Sequence, residues 1–416
     1  MNVDNSGVLY RAKKKMNRYD YLIIVTIFSS IFAGETFGAF TPVKIIGFFF
    51  SFYFVVYFQQ WRNLLLKKIK GITIFFSFML LHSLVSIFWA GNMHEYLIAA
   101  LTLYILTFIF LLIFCCSQRA AYPIRSIIIG WTVLLIANLS CAYYEVLSGN
   151  HFSAGSYQAD VTSVDIEGNK IMRVYAAVTY GNYNSFALLL VLHLLFILLL
   201  IYLSKTFSAK FLGLVLFFSS CTILIINTSR GCLLSLMFFS IPLWYAIRHL
   251  GKIKYIVVVV LLGALAYLLV EYSEMITFLI ERKFGGRDAS DLSSEPRLIL
   301  WSGSWRIICH WLFMGAGGGN MISEFEAHHI PQGYCHNLWL QMLLEYGIVP
   351  TLLFLGFYLK FVWKNLFSRD SIQIILGLYM VFVWPFLTIV DEAYLKTCHF
   401  MFFASIYGIY YHCRYH

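Results

Sequence analysis

Long apolar segments, separated by short polar breaks, constrain this chain more than any other feature. Each segment is continuously hydrophobic, without the alternation of a membrane strand, and in lipid such a run satisfies its backbone groups as a helix. The pattern therefore predicts an all-α, polytopic membrane protein with about twelve transmembrane helices. The predicted segments are 21–34, 43–58, 71–90, 96–116, 127–147, 174–203, 211–227, 232–247, 255–270, 338–363, 371–390 and 397–413.

The composition supports this reading and excludes a soluble globule. Of the 416 residues, 60% are hydrophobic and 12% are charged, whereas soluble domains carry about 25% charged residues. No internal repeat or low-complexity segment interrupts the chain, so residues 1–416 are interpreted as one membrane domain. Two long loops connect the predicted helices, at 148–173 and 271–335. The longer one follows the ninth predicted helix.

The distribution of charge predicts the orientation. The N-terminal tail, every second loop and the C-terminus, counted with Lys360 at a helix end, hold 20 of the 30 Lys and Arg residues, but only three of the 20 acids. The positive-inside rule makes that side cytoplasmic, so both termini lie inside and the two large loops lie outside. The net charge of +10 therefore reflects the orientation of the chain in the membrane. It does not indicate nucleic-acid binding.

The larger outer loop contains a candidate helix. Aromatic and aliphatic residues recur at helical spacing from Arg297 to Trp311, which is typical of an amphipathic helix on a membrane surface or over a cavity. A lid over a substrate and a packed helix without a substrate role both explain this pattern. In the same loop Cys309 and Cys335 could pair in an oxidising compartment, a question that the sequence leaves open.

Arg173 and the stretch Tyr180-Gly181-Asn182-Tyr183-Asn184 form a first polar cluster at an outer helix end. Two Asn residues early in an apolar helix are costly to bury without partners. They either hydrogen-bond neighbouring helices or bind a sugar or phosphate.

A second cluster, Asn227-Thr228-Ser229-Arg230-Gly231, forms a tight turn between two apolar helices. If Arg230 begins the second helix, Ser229 is its expected N-cap, and an anion could sit against the free N–H groups. The alternative is an Arg side chain that only extends to the membrane boundary.

A third cluster combines Arg297, the turn Gly315–Asn320 and His336-Asn337, which precedes the helix carrying Glu345. The backbone N–H groups of a glycine turn can approach phosphate, although ordinary turns need glycine too. His336 is suited to proton transfer and the Arg side chains to anion binding. Additional His residues have no metal-ligand spacing, so no metal site is predicted.

These residues also resemble a known family. The Arg230-Gly231 hinge, Arg297 with Trp301, and His336-Asn337 followed by Gly347 are similar to the O-antigen ligase/polymerase superfamily, the Wzy and WaaL proteins with their Wzy_C domain. The likeness extends to about twelve helices with a large periplasmic loop between helices 9 and 10. Pro350 stands where the ligase signature has Gly, Thr or Tyr, and Gly181-Asn182-x-Asn184 resembles the polymerases.

The resemblance implies a GT-C-type fold and a metal-independent glycosyltransferase without a cofactor. Its substrate would be an oligosaccharide linked to undecaprenyl diphosphate, used at the periplasmic face of the bacterial inner membrane. A polymerase would extend the glycan with lipid-linked repeats, which is the favoured reading, whereas a ligase would transfer it to the lipid A core. Membrane lipid and a chain-length regulator are the other implied partners.

Roles follow from the resemblance and from the chemistry of a charged leaving group. The guanidinium group of Arg can bind a diphosphate through two N–H groups at once. It also stabilises the negative charge that develops as the glycosidic bond breaks. Arg230 and Arg297 are assigned that catalytic role, and His336 is assigned proton acceptance or, alternatively, orientation of the donor. The expected substrate-binding residues are Arg173, Asn182, Asn184, Asn337 and Glu345.

A transporter or flippase is the alternative from a different class. It would place ionisable residues near the middle of its spans, and here His82 and His193 are isolated exceptions. A structural or receptor protein explains the apolar segments but not the Arg and His residues gathered at one side.

Overall fold

The computed structural model describes residues 15–32, 41–67, 69–152, 162–164, 170–172, 175–227, 229–248, 296–330, 335–389 and 396–415. These residues are almost entirely helical, with one short antiparallel hairpin in which Thr162 pairs with Met172. The predicted helix 255–270 and residues 271–295 and 331–334 of the larger outer loop lie outside the described residues.

The helices are α1 (Arg18–Phe28), α2 (Pro42–Val56), α3 (Phe58–Lys67), α4 (Lys70–Val85), α5 (Met93–Ser117), α6 (Pro123–Ser148), α7 (Tyr183–Leu203), α8 (Phe207–Asn227), α9 (Arg230–Ile247), α10 (Pro296–Trp311), α11 (Met321–Ala327), α12 (Leu338–Tyr346), α13 (Ile348–Leu366), α14 (Ser371–Phe382), α15 (Trp384–Leu387) and α16 (Thr397–Tyr415). The strands of the hairpin are β1 (Thr162–Val164) and β2 (Lys170–Met172).

Several helices are long enough to cross a bilayer. Within the described part of the chain, five helices have the necessary length and hydropathy, or six if α2 and α3 form one bent span. The all-helical membrane architecture is therefore confirmed. The number of twelve spans, the GT-C type and the outer position of the large loop stay predictions.

Helix α7 forms the centre of the bundle, because it is apolar on every side and almost wholly buried, as expected for a helix surrounded by others. The ring of Phe196 stacks on Trp131 of α6 with centroids 4.5 Å apart. On another side, the Tyr379 hydroxyl of α14 donates a hydrogen bond to the Val191 carbonyl at 2.8 Å. The middle of α7 is consequently held by neighbours on two sides.

Two predicted helices are not straight spans. Segment 43–58 ends at a 94° bend, after which α3 runs in a new direction; Trp61 of α3 is buried under the Arg119 guanidinium, 3.9 Å from its ring. Segment 338–363 is divided into α12 and α13 at Gly347, where φ is +75°. A Cβ there would lie 2.6 Å from the Phe313 carbonyl oxygen, so apolar continuity alone gave the wrong prediction of one helix.

Candidate functional site

The outer end of the bundle, as we call the side assigned to the exterior by the charge distribution, contains the predicted site residues. Arg173 lies outside the described residues. Arg230 is the first residue of α9 and Arg297 the second residue of α10, and for both only the backbone position is described. The contacts of neighbouring residues show where these two backbone positions lie relative to the rest of the site.

Asn182 is the N-cap of α7. Its side-chain oxygen accepts the backbone N–H of Ser185 at 2.7 Å, a common way to satisfy a free helix N–H group. Asn184 follows in the first turn of α7 and is half-buried. The cap uses only the oxygen of the Asn182 amide, so its NH₂ group is the part suited to an external hydrogen bond.

Asn227 joins the first two polar clusters. Its fully buried side chain accepts the Ala176 N–H at 2.8 Å and donates to the Ala176 carbonyl at 2.9 Å and the Tyr183 carbonyl at 3.3 Å. This one side chain fixes the segment before α7 against the turn between α8 and α9. Arg230, three residues later, therefore begins its helix beside the start of α7.

Ser229 occupies the N-cap position of α9, as predicted, but its side chain makes no capping hydrogen bond. The first N–H groups of α9 consequently lack the usual side-chain acceptor. An anion near Arg230 would meet both these N–H groups and the positive end of the helix dipole.

The predicted helix in the larger loop is present as α10, and it is tied to the segment before His336. The indole Nε1 of Trp301 donates a hydrogen bond to the Cys335 carbonyl at 2.9 Å. Arg297 precedes Trp301 by one helical turn and thus shares its face of α10. The structure therefore brings the backbone of Arg297 to the neighbourhood of His336.

His336 itself is half-buried and has φ of +49°, a left-handed conformation that is uncommon for residues other than glycine. The next residue, Asn337, caps α12 by accepting the N–H groups of Trp339 at 3.0 Å and Leu340 at 3.3 Å. A strained residue directly before a capped helix is held in one orientation, and such strain is often found at functional sites.

Helices α9 and α12 are connected through α15. The Leu338 N–H donates to the Thr388 carbonyl at 2.9 Å, directly after α15. Phe386 of α15 stacks on Phe238 of α9 with ring centroids 4.6 Å apart. This connection places the helix that begins with Arg230 and the helix that follows His336 against a common element.

Glu345 is buried, and its carboxylate organises the glycine turn. One oxygen accepts the Gly319 N–H at 3.1 Å and the other accepts the Gln341 amide at 3.2 Å. The Glu345 carbonyl accepts the Gly317 N–H at 2.9 Å. A substrate-binding role for Glu345 stays a prediction; in this structure the side chain positions the turn.

The glycine turn packs tightly instead of presenting its N–H groups to an anion. The Gly315 and Ala316 N–H groups donate to the Trp311 and Leu344 carbonyls, both at 2.7 Å. A Cβ at Gly315 would lie 2.4 Å from the Glu345 carbonyl oxygen. The turn therefore needs glycine for close packing, and the phosphate-cradle interpretation does not fit its contacts.

The two cysteines of the larger loop are not paired. Cys309 on α10 is an exposed free thiol, and Cys335 is a buried one. Burial raises the pKa of the Cys335 thiol to about 12, so this group is neutral at ordinary pH.

Lys396, directly before α16, was missed in the sequence. Its Nζ donates to the Ser185 hydroxyl at 2.6 Å and so lies at the start of α7, beside the Asn182 cap. The sequence feature that could have identified it is a single Lys between two apolar segments, on the side predicted to be outside. As a cation with three N–H donors, Lys396 can also bind an anion, as a point charge instead of a bidentate fork.

Four helices, α7, α9, α12 and α16, begin at the outer end. Asn227, the hydrogen bond between Lys396 and Ser185, and that between Leu338 and Thr388 link their starts to one another or to common neighbours. Each helix start carries a partial positive charge. The outer end thus combines helix dipoles with cationic side chains, which together favour an anionic ligand.

A partly open apolar cavity of about 90 Å³ lies beneath this polar layer. Leu338 and Met342 of α12 line it, which places its wall immediately after His336-Asn337. Aromatic side chains supply most of the remainder, among them Phe75, Phe354 and Phe403. Its shape and chemistry suit a hydrocarbon chain next to the polar site.

Metal ligation gains no support from the described residues, in which no group of three His, Cys, Asp or Glu side chains could hold an ion. Metal independence stays a prediction that rests on the family resemblance.

Comparison with known proteins supports the resemblance. Residues 213–355 match the family model Wzy_C, described as O-antigen ligase. The chain is also 22% identical to the teichuronic acid biosynthesis protein TuaE of Bacillus subtilis (strain 168) over 318 residues, which represent 73% of this chain and 62% of that protein. The chain thus spans less than two thirds of the relative's length. Arg230, Arg297 and His336 all lie within residues 213–355, the part of this helical membrane protein that is similar to the O-antigen ligase family model.

Proposed function

We propose that this protein is a metal-independent glycosyltransferase that uses a glycan linked to a polyprenyl diphosphate, at the outer face of the bacterial cytoplasmic membrane. The favoured reaction is polymerisation of repeat units. Ligation to an acceptor such as the lipid A core is the second candidate, because the matching family model is described as an O-antigen ligase.

The observation that carries this proposal is a polar, cationic helix-start region above an apolar cavity. Asn227 and Trp301 bring separate parts of the chain to this region through hydrogen bonds of 2.8–3.3 Å. A polyprenyl diphosphate has the same division, since its diphosphate is anionic and its tail is hydrocarbon. The cavity wall at Leu338 begins two residues after His336, which suits a ligand with its head at the site and its tail below.

Arg230 and Arg297 bind the diphosphate in this proposal, and they stabilise the charge on the leaving group as the glycosidic bond breaks. The starts of α7, α9, α12 and α16 add fixed partial positive charge. The attacking group is a hydroxyl of the acceptor sugar. His336 either accepts the proton of that hydroxyl or orients the donor diphosphate.

The remaining predicted residues bind the sugars. The amides of Asn182, Asn184 and Asn337 lie at helix starts on the outer end, where hydroxyl groups of a glycan can reach them. Arg173 and Glu345 complete the proposed set, the latter through its hold on the glycine turn.

The decisive experiment offers purified protein the lipid-linked repeat alone. A ladder of longer chains identifies a polymerase, and product that forms only after a lipid A core acceptor is added identifies a ligase. If neither condition consumes the lipid-linked donor, glycosyl transfer is excluded. The alternative hypothesis, that the protein is a transporter, is then favoured.

Site variants test the assigned roles. Arg230→Ala, Arg297→Ala and His336→Ala should each lower transfer by roughly 10²-fold or more, because each removes a group that acts on the transition state. Arg306→Ala is the matched control, since Arg306 is exposed on the same helix as Arg297. Equal loss in the control would mean that any charge removed from α10 disturbs the protein.

A further inference from the structure

A second titratable cluster lies at the outer end, on the segment that precedes α7. Glu145 belongs to the last turn of α6, and His151 follows three residues after that helix. The Glu145 side chain is wholly buried and that of His151 is 12% exposed. Neither residue has a part in the proposed binding of the donor.

The Glu145 carboxylate is fixed by three backbone donors. One oxygen accepts the Phe152 N–H at 3.0 Å, and the other accepts the N–H groups of Ala177 at 2.8 Å and Val178 at 2.9 Å. Val178 has φ of +53°, which is costly for a β-branched residue. The carboxylate therefore stabilises this strained turn through its hydrogen bonds.

His151 lies beside this carboxylate, just beyond hydrogen-bond distance. Its Nδ1 lies 3.8 Å from a Glu145 oxygen and, within the described part of the chain, has no hydrogen-bond partner while being buried. The ring stacks on Tyr175, with centroids 4.3 Å and planes 9° apart. Because the negative charge favours the proton on Nδ1, the exposed edge of the ring carries the Nε2 lone pair.

The pair adjoins the proposed diphosphate region. Tyr175, beneath the imidazole, has its ring 5.9 Å from that of Tyr183, the first residue of α7. The next residue, Ala176, is held by both hydrogen bonds from Asn227, and Asn227 is three residues from Arg230. One short, tightly bonded stretch of backbone therefore separates His151 from the start of α9.

We propose that His151, oriented by Glu145, is the general base of the transfer, an inference that rests on the proposed function. A hydroxyl oxygen of the acceptor sugar forms a bond to the anomeric carbon of the donor. The bond between that carbon and the diphosphate oxygen breaks, and its electron pair leaves with the diphosphate. The hydroxyl proton moves to His151 Nε2 and later to water.

This assignment separates two functions that a single His336 would otherwise share. His336 lies at the capped start of α12, above the cavity that suits the donor lipid, and it orients the donor diphosphate. His151 lies on the α6–α7 side, where the acceptor glycan approaches. Donor and acceptor are thus handled by different halves of the outer end.

The test measures transfer by the purified full chain, supplied with the lipid-linked acceptor and donor that the wild type consumes, as a function of pH. His151→Gln should lower kcat by roughly 10²-fold while the donor KM changes by less than about threefold. The loss of rate toward acid pH, which marks protonation of an imidazole base, should also disappear. Among the described groups, Glu145 and Tyr175 are the titratable neighbours that face His151.

Further variants keep the inference falsifiable. Glu145→Gln should lower kcat by at least about tenfold, and imidazole added to His151→Ala should restore part of the rate. His94→Gln is the control, because His94 forms an exposed pair with Glu95 at 3.5 Å at the start of α5. This control should keep the wild-type rate and pH profile.

Three outcomes would overturn the assignment: a wild-type rate in His151→Gln, a slow variant with the acid limb intact and no rescue by imidazole, or loss of the acid limb in His336→Gln instead. A wild type that consumes no lipid-linked donor is a separate failure, since it removes the proposed function itself. Circular dichroism and elution volume of every variant, compared with the wild type, identify loss of rate through unfolding.

Discussion

Asn227→Ala is expected to weaken the fold and the site together, because the Asn227 side chain bonds the segment before α7 to the turn before α9. The substitution removes three hydrogen bonds from a fully buried position. It leaves the Ala176 N–H and carbonyl without these partners, and each unsatisfied buried group costs about 1–3 kcal/mol. Adding a smaller amount for the 3.3 Å bond to Tyr183, we expect a loss of about 2–6 kcal/mol.

The assay is thermal unfolding in detergent, followed by transfer activity at a temperature at which the variant is folded. A change of 1 kcal/mol moves Tm by about 2–4 °C in domains of 150–250 residues and by less in longer chains, so a fall of about 3–10 °C is expected. Activity should fall as well, since the start of α7 loses its fixed position relative to Arg230.

Asn365→Ala provides a matched control. Asn365 is equally buried but makes one side-chain hydrogen bond, to the Phe361 carbonyl of its own helix at 2.7 Å, and it lies at the opposite end of the bundle. Its substitution should cost about 1 kcal/mol and leave transfer unchanged. The reasoning is refuted if Asn227→Ala unfolds no earlier than this control and transfers glycan normally.

Three further predictions concern the larger loop and the cavity. Gly319→Ala should destabilise by about 2–4 kcal/mol in thermal unfolding, because φ is +78° and the new Cβ would lie 2.6 Å from the Glu95 carbonyl oxygen; an unchanged Tm would contradict this. Met342→Trp should raise the KM for a long polyprenyl donor more than for a short-chain analogue, because it fills the cavity; equal effects on both donors would exclude this cavity as the tail site. A membrane-impermeant maleimide added to intact cells should label exposed Cys309, with Cys309→Ser as control, and not buried Cys335; labelling only after permeabilisation would reverse the predicted orientation.

Hydrophobic runs and charge asymmetry were sufficient to predict a helical membrane protein, because both depend on local composition. They could not predict the division at Gly347, since the close approach of the Phe313 backbone is a tertiary contact. The helical spacing from Arg297 to Trp311 likewise predicted α10, whereas its attachment through Trp301 to the Cys335 carbonyl required the structure.

The polar residues of the site were identifiable because charges and amides stand out at the ends of apolar segments. The sequence did not show which of these residues have structural roles and which are available to bind a ligand. Asn182 and Asn337 cap helices, and Glu345 holds a glycine turn, and no spacing rule distinguishes these uses from ligand binding. Glu145 and His151 are only six residues apart, but they were missed because the burial of Glu145 depends on a turn that returns the chain at Val178 to the end of α6.

The bridge made by Asn227 has a consequence for fragments of this protein. Residues 213–355 match the family model and include Asn227, but its partners Ala176 and Tyr183 lie in the preceding part of the chain. A fragment of the matched residues would therefore carry Arg230, Arg297 and His336 without the backbone that completes their surroundings. Co-expression with residues 1–212 would restore the partners of Asn227, whereas the links through Thr388 and Lys396 would still require residues 356–416.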